Sequence, residues 1–106
     1  MSLGKQIYGS QRWCVMRKEP VEILSDATNS AVMRHPGRRF PGVLIQGDSL
    51  SEMCKKVDRI CVHARNQLSP DAYAELNELR NDLWGYLTHY KAVLSDHAIQ
   101  LPFSET

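Results

Sequence analysis

One segment, RHPGRRFPGVLIQGDSLSE at positions 34–52, constrains the fold more than any other part of the chain. A loop rich in Pro, Gly and Arg leads into the apolar run VLI at 43–45, which predicts a buried β-strand. Directly afterwards, Asp48, Ser49 and Glu52 form the pattern of a helix capping box, in which the Ser49 hydroxyl accepts from the Glu52 backbone N–H. The segment therefore predicts a strand, a glycine turn and the start of a helix.

The letters GDSL at 47–50 also match the motif of the GDSL serine esterases. A nucleophilic serine needs a base and a third group that orients the base, and in that family an Asp-x-x-His pair supplies both. None of the four histidines has Asp three positions before it. We therefore interpret Ser49 as a helix cap and predict that the protein is not an enzyme.

Residues before the central segment predict two further strands. VEIL at 21–24 predicts the first strand, which the turn-forming cluster SDATNS at 25–30 ends. AVM at 31–33 predicts the second strand, antiparallel to the first because the connection is short. Together with the strand at 43–45, they predict a β-meander within residues 20–48.

Two amphipathic helices are predicted after the meander, at about 49–68 and 70–97. Apolar residues recur three and four positions apart in both. Ser69 and Pro70 are typical of an N-cap and a first helical position, so the second helix follows the first closely. Within it, Gly85 indicates either a close helix crossing or an ordinary surface glycine.

These elements predict an α+β fold, in which a three-stranded antiparallel sheet (a β-meander) is followed by a two-helix antiparallel hairpin packed on one face. Residues 20–100 form the single domain, 1–19 a poorly ordered or docking segment, and 101–106 a tail. Because two helices cover only one sheet face, the other face is polar, covered by 1–19 or buried against another molecule. We therefore expect a protein partner or self-association, with a dimer favoured.

Composition excludes several classes of protein. The chain has 42% hydrophobic and 24% charged residues, which is typical of a soluble globular domain. No apolar stretch approaches the length of a membrane span and the N-terminus lacks a signal-peptide core, so we expect a cytoplasmic protein. Three cysteines without a C-x-x-C pair and four scattered histidines predict no metal site and no cofactor. A net charge of +1 makes nucleic acid an unlikely partner.

The charge is unevenly distributed. Residues 1–47 carry +4 and residues 48–106 carry −3. Three arginines concentrate in the loop at 34–41, where guanidinium groups suit carboxylate or phosphate and Pro and Gly stiffen the display. The alternative is that these arginines pair with acids of the helical half and Phe40 closes the core. The candidate binding residues are Arg34, Arg38, Arg39, Phe40 and Gln46.

The chain has two family resemblances, and the first of them brings no activity with it. Over residues 21–50, with PGRRFPG at 36–42 and QGDSL at 46–50, the chain resembles a family of small bacterial proteins known as a domain of unknown function. The stretch at 40–50 also resembles the N-terminal domain of HicB-like antitoxins, which implies a ββ(β)α layer that binds a protein toxin. HicB-like proteins usually continue into a DNA-binding module, whereas here a long helix is predicted.

We therefore expect a non-enzymatic protein-binding module, antitoxin- or immunity-like. One alternative is a protein or enzyme that binds a small ligand or an anion through the arginine loop. The other is a structural accessory subunit.

Overall fold

The computed structural model describes residues 16–105. Strands β1 (Glu22–Ser25), β2 (Ala31–Arg34) and β3 (Gly42–Leu44) precede helices α1 (Gly47–Ala64) and α2 (Pro70–Asp96). The predicted α+β class and the predicted element order are confirmed. The predictions for residues 1–15 lie outside the described residues.

The three strands form an antiparallel meander in the order β1-β2-β3. Residues opposite each other share a face of the sheet. Ile23 pairs with Met33, and Ala31 with Leu44, on one face. A register shift between Ile23 and Ser25 marks a bulge in β1, which increases the local twist.

Helices α1 and α2 pack on each other as predicted. At 1.5 Å per residue, the 18 residues of α1 span about 27 Å and the 27 residues of α2 about 40 Å, so α2 extends beyond its partner. The Ser69 hydroxyl caps α2 by accepting from the Ala72 N–H at 3.2 Å, and Pro70 follows at the first helical position. This predicted helix start is confirmed.

The buried apolar core is small and lies between the two helices. Partly buried side chains, including Trp84, Tyr90 and Phe103, pack against it. The C-terminal tail folds back onto α2. Phe103 stacks on Tyr90 with 6.5 Å between the ring centroids, and Glu105 Oε2 lies 2.6 Å from Lys91 Nζ. The buried apolar residues are Leu50, Cys54, Val57, Cys61 and Leu87.

The predicted capping box is wrong. Helix α1 begins at Gly47, and Gln46 is its N-cap, without a side-chain cap hydrogen bond. Ser49 therefore lies inside the first turn, where its backbone N–H donates to the Asp48 carboxylate at 2.9 Å. Asp48 still places negative charge at the positive end of the helix dipole, which is a local reason for an earlier start. The Glu52 carboxylate lies 3.9 Å from Lys55 Nζ instead of reaching back to the helix terminus.

The predicted packing of the helices on the sheet is also not observed. No strand comes within 8 Å, Cα to Cα, of either helix in the described chain. Ile23 is 59% exposed and Leu44 52% exposed, although the sequence led us to expect a buried sheet face. One cleft between the sheet and the helices is lined by connecting segments, including Val21 and His35. A second is lined by Leu44 at the end of β3 together with Asp48 and Tyr90 of the helices. Within residues 16–105, neither helix combines the length and the apolar character that a membrane crossing requires.

Two glycines differ in their surroundings. A Cβ at Gly47 would overlap the ring of Tyr90, which lies directly against the backbone there. Gly85 is exposed, and a Cβ at that position would meet nothing within 4 Å. Gly85 is therefore an ordinary surface glycine, and the close approach occurs at the start of α1.

Candidate functional site

Arg34 stabilises the loop that follows it. Its Nε donates to Glu22 Oε1 at 2.6 Å across the β1–β2 ladder, and its Nη1 donates to the Arg39 carbonyl at 3.2 Å. Glu22 and Arg34 are direct partners in the sheet register. A guanidinium with both contacts has fewer donors left for a ligand, so Arg34 acts mainly in shaping the loop.

The loop backbone is held by two further contacts. The Gly37 N–H donates to His35 Nδ1 at 3.0 Å, and the Arg38 N–H donates to the His35 carbonyl at 2.9 Å. Pro36 and Pro41 fix φ at their positions and carry no N–H to leave unsatisfied. These contacts fix a tight turn at one end of the sheet.

Arg38, Arg39 and Phe40 are displayed by this turn. Phe40 is 72% exposed, so it does not close the core. The Arg39 guanidinium carbon lies 5.4 Å from the centre of the Phe40 ring, within the range of a cation–π contact. Among residues 16–105, neither Arg38 nor Arg39 forms an ion pair with an acid of the helices.

The loop and the sheet form one continuous surface. A groove runs between the arginines and the strands, and apolar side chains of β2 and β3 line its floor. Ile23 continues the apolar face because it pairs with Met33. We call this area the sheet–loop surface, and define it by Ile23, Met33, Leu44, Arg38, Arg39 and Phe40.

Gln46 is not part of this surface. As the N-cap of α1, it borders a different groove, together with Ile45, Asp48 and Tyr90 among others. The structure therefore brings Arg38, Arg39 and Phe40 together, uses Arg34 as their support and places Gln46 elsewhere.

The sheet–loop surface combines charged and aromatic side chains with exposed apolar side chains. Within residues 16–105, no group of three or more His, Cys, Asp or Glu side chains is placed to hold a metal ion. The groove contains guanidinium groups, a histidine and an aromatic ring, which suit a carboxylate-bearing or apolar surface.

Sequence reasoning missed a polar cluster between the helices. Asp58 Oδ1 accepts from Arg80 Nε at 2.6 Å and from Trp84 Nε1 at 3.0 Å. Burial raises the pKa of Asp58, but the hydrogen bonds from Arg80 and Trp84 outweigh it, so the net pKa lies below the ordinary value. Arg80 and Trp84 are four apart on α2, a spacing that indicates a shared face, but only the packing of α1 identifies their partner.

Cys54 and Cys61, the two cysteines in the described part of the chain, are structural. Cys54 is completely buried, and Cys61 is buried with its sulfur 3.9 Å from Asn77 Oδ1. Burial, with a smaller contribution from the Asp58 charge, raises the pKa of the Cys54 thiol. A buried thiol with a raised pKa is a poor nucleophile, so Cys54 acts as a small hydrophobic residue of the core.

A scan against protein-family models matched residues 16–103 to a family of unknown function, DUF6959. Searches of curated proteins and of solved structures found no match. The family match spans the meander, both helices and the docked tail, which is most of the chain. The chain therefore belongs to the DUF6959 family, whose function is unknown.

Proposed function

We propose that this chain is a non-enzymatic protein-binding module that holds its partner on the sheet–loop surface. The observation that carries the proposal is the exposure of the apolar sheet face next to two arginines without acidic partners in the described chain. Contiguous exposed apolar surface is typical of protein-interaction sites. Arginine and aromatic residues are enriched at such sites.

The chemistry of the surface indicates the kind of partner. Burying apolar side chains such as Ile23 and Leu44 would contribute about 25 cal/mol per Å² removed from water. Arg38 and Arg39 form a basic rim at one end of this face, so we infer a partner that presents apolar side chains beside an acidic patch. The tight turn below the arginines reduces the entropy lost on binding.

The resemblance of residues 40–50 to HicB-like antitoxins supports an antitoxin- or immunity-like role. Such a protein inhibits by covering its target, which requires a surface and no catalytic group. The helix pair takes the place where HicB-like proteins usually carry a DNA-binding module, so autoregulation through DNA is not part of the proposal.

Site-specific cross-linking tests the surface. A photoreactive amino acid would replace Leu44 in the full chain expressed in its native host, and a matched variant would carry it at Val62, which is 75% exposed on α1. The proposal expects a protein captured from position 44 and not from position 62. Equal capture from both positions, or none from position 44, would contradict it.

The captured protein would then be purified and titrated with the full chain by calorimetry. We expect Leu44→Glu to abolish binding and Arg38→Ala with Arg39→Ala to weaken it about tenfold or more, while Val62→Glu leaves it unchanged. An affinity that does not respond to the two arginines would remove the loop from the interface.

An anion-binding protein is the second candidate, because the arginine side chains and His35 line the same groove. Inorganic phosphate titrated into the full chain distinguishes the two. Saturable binding that is lost with Arg38→Ala and Arg39→Ala would favour the anion site. Absence of binding at millimolar phosphate would leave the protein-binding role.

A further inference from the structure

The helix pair has a second uncovered surface, on the flank opposite Asp58. Asp58 bonds to Arg80 and Trp84 on one flank of the seam between the helices. In α1, Ile60 is two positions from Asp58 and points about 200° away from it around the helix. In α2, the angular spacing of residues around the helix points Leu79 away from Trp84. Leu79 therefore lies on the other side of the seam. Ile60 and Leu79 therefore both face the flank of the hairpin that lies opposite Asp58.

Each helix carries a regular stripe along that flank. The positions are three and four residues apart, so each stripe runs nearly straight along its helix. Ile60 is 47% exposed and Leu79 52% exposed, and the remaining members are exposed as well. The α1 stripe is Met53, Lys56, Ile60 and His63, and the α2 stripe is Glu75, Leu79, Asp82 and Tyr86.

The contacts between α1 and α2 define which residues of the two helices lie at the same height, that is, at the same position along the helix axes. Asp58 meets Arg80 and Trp84, and Cys61 meets Asn77. Because the helices are antiparallel, each step forward on α1 corresponds to a step backward on α2. The α1 stripe read forward is therefore level with the α2 stripe read backward.

In this register, apolar residues are level with apolar residues, and basic residues are level with acidic residues. Met53 is level with Tyr86, and Ile60 is level with Leu79. Between them, basic and acidic residues match: Lys56 is level with Asp82.

The last level pairs His63 with Glu75. The flank thus alternates apolar and ionic levels, with the basic groups confined to α1 and the acidic groups confined to α2.

The charged members have no ionic partner within the described chain. The ion pairs of residues 16–105 that involve the helices are Lys55–Glu52, Arg80–Asp58 and Lys91–Glu105. Lys56, Asp82 and Glu75 are in none of them. Lys56 and Asp82 point away from the seam, so they are placed to meet charges on another molecule.

We propose that this flank is the interface of a homodimer in which α1 of each copy packs on α2 of the other. A twofold axis parallel to the helices preserves height and exchanges the two helices. Met53 then faces Tyr86 of the second copy, Lys56 faces Asp82, and Ile60 faces Leu79. The product is a four-helix bundle of ordinary geometry, with crossing angles of about 20°.

A second copy is the occupant that the charge pattern favours. Under this axis every basic group of one copy meets an acidic group of the other, twice per dimer. A twofold axis across the helices would instead put α1 on α1 and oppose like charges. The dimer leaves the sheet–loop surface uncovered, so it is independent of the proposed partner binding.

Sedimentation velocity of the full chain tests the interface directly. The expected result is a dimer at micromolar concentration, with Ile60→Glu and Leu79→Glu each raising the dissociation constant about a hundredfold or more. Val62→Glu, on the flank of Asp58, and Leu44→Glu, on the sheet, are the matched controls and should remain dimeric. Circular dichroism verifies that each variant keeps its helices.

A charge exchange between chains decides whether Lys56 and Asp82 pair across the interface. Lys56→Glu and Asp82→Lys should each weaken the homodimer about tenfold or more, because each places two repulsions in the interface. Mixing the two variants should restore a dimer of near wild-type affinity, since every facing pair is then opposite in charge. A double variant cannot distinguish pairing within a chain from pairing between chains, whereas the mixture can.

Three results would overturn the proposal. The first is a monomeric full chain up to 100 µM. The second is a dimer that Leu44→Glu dissociates and Ile60→Glu does not. The third is a mixture of Lys56→Glu and Asp82→Lys chains that associates no better than either chain alone.

Discussion

The ring of Tyr90 lies directly against the backbone of Gly47, where the connection from the sheet enters α1. This contact joins the first residue of α1 to the second half of α2. Phe103 of the tail stacks on the same ring, with 6.5 Å between the two ring centroids. The start of the helix pair therefore depends on one glycine and two aromatic rings that are far apart in the sequence.

A methyl group at position 47 has no room. We expect Gly47→Ala to lower the free energy of unfolding by about 1–3 kcal/mol, because the Tyr90 ring must move. Gly85→Ala is the matched control. It should raise the free energy of unfolding by up to about 1 kcal/mol, since alanine is the better helix former and the site is open. Urea denaturation measures both, and equal effects would contradict the close approach at Gly47.

The two helix starts predict different effects of removing a serine hydroxyl. Ser69→Ala should lower the free energy of unfolding by about 1 kcal/mol, because the hydroxyl caps α2. Ser49→Ala should change the free energy of unfolding by less than about 0.5 kcal/mol, because Ser49 lies inside the first turn of α1. If Ser49→Ala lowered the free energy of unfolding as much as Ser69→Ala does, the capping box at Ser49 would be supported after all.

Asp58 predicts a component of acid sensitivity. Its pKa in the folded chain lies below its unfolded value, so its contribution to stability is fully present above the unfolded pKa. That contribution is lost as pH falls through the folded pKa. We therefore expect the difference in unfolding free energy between wild type and Asp58→Asn to shrink below about pH 4. Urea titrations between pH 3 and pH 6 check this, and a difference independent of pH would exclude the ionised pair.

Trp84→Phe isolates one hydrogen bond of that cluster. We expect it to lower the free energy of unfolding by about 1 kcal/mol at pH 7, because Asp58 loses a donor while Arg80 remains. The loss should become smaller as pH falls through the lowered pKa of Asp58, because the protonated carboxyl is a weaker acceptor. Val62→Ala, at an exposed site of α1, serves as a control and should have little effect across the same pH range.

The small core predicts that one leucine carries much of the stability. Leu87 is buried against Leu50 and Cys54, so Leu87→Ala should cost about 2–5 kcal/mol. Val62→Ala, on an exposed site of α1, should change the free energy of unfolding by less than about 0.5 kcal/mol. Thermal unfolding followed by circular dichroism measures both, and similar melting temperatures for the two variants would contradict this core.

Local sequence signals predicted each element because each signal acts within a few residues. Ser69 and Pro70 define the start of α2 through one hydrogen bond and one fixed φ, and turn residues separate the strands. The arginine loop was likewise recognisable, since its prolines and arginines are adjacent in the chain. The one local prediction that was wrong concerned the start of α1. The helix begins at Gly47, so Ser49 lies inside its first turn and the Ser49 backbone N–H donates to Asp48.

The strands, the helices, their order and the arginine-rich loop were therefore predictable from the residues alone, because periodicity, turn chemistry and capping act over short distances. What each surface faces became known from the tertiary structure. It separated the sheet from the helices, tied Arg34 to Glu22 and brought Asp58 to Arg80. These contacts join groups that are 12 and 22 residues apart in the chain, so they depend on how whole elements pack and not on any local pattern.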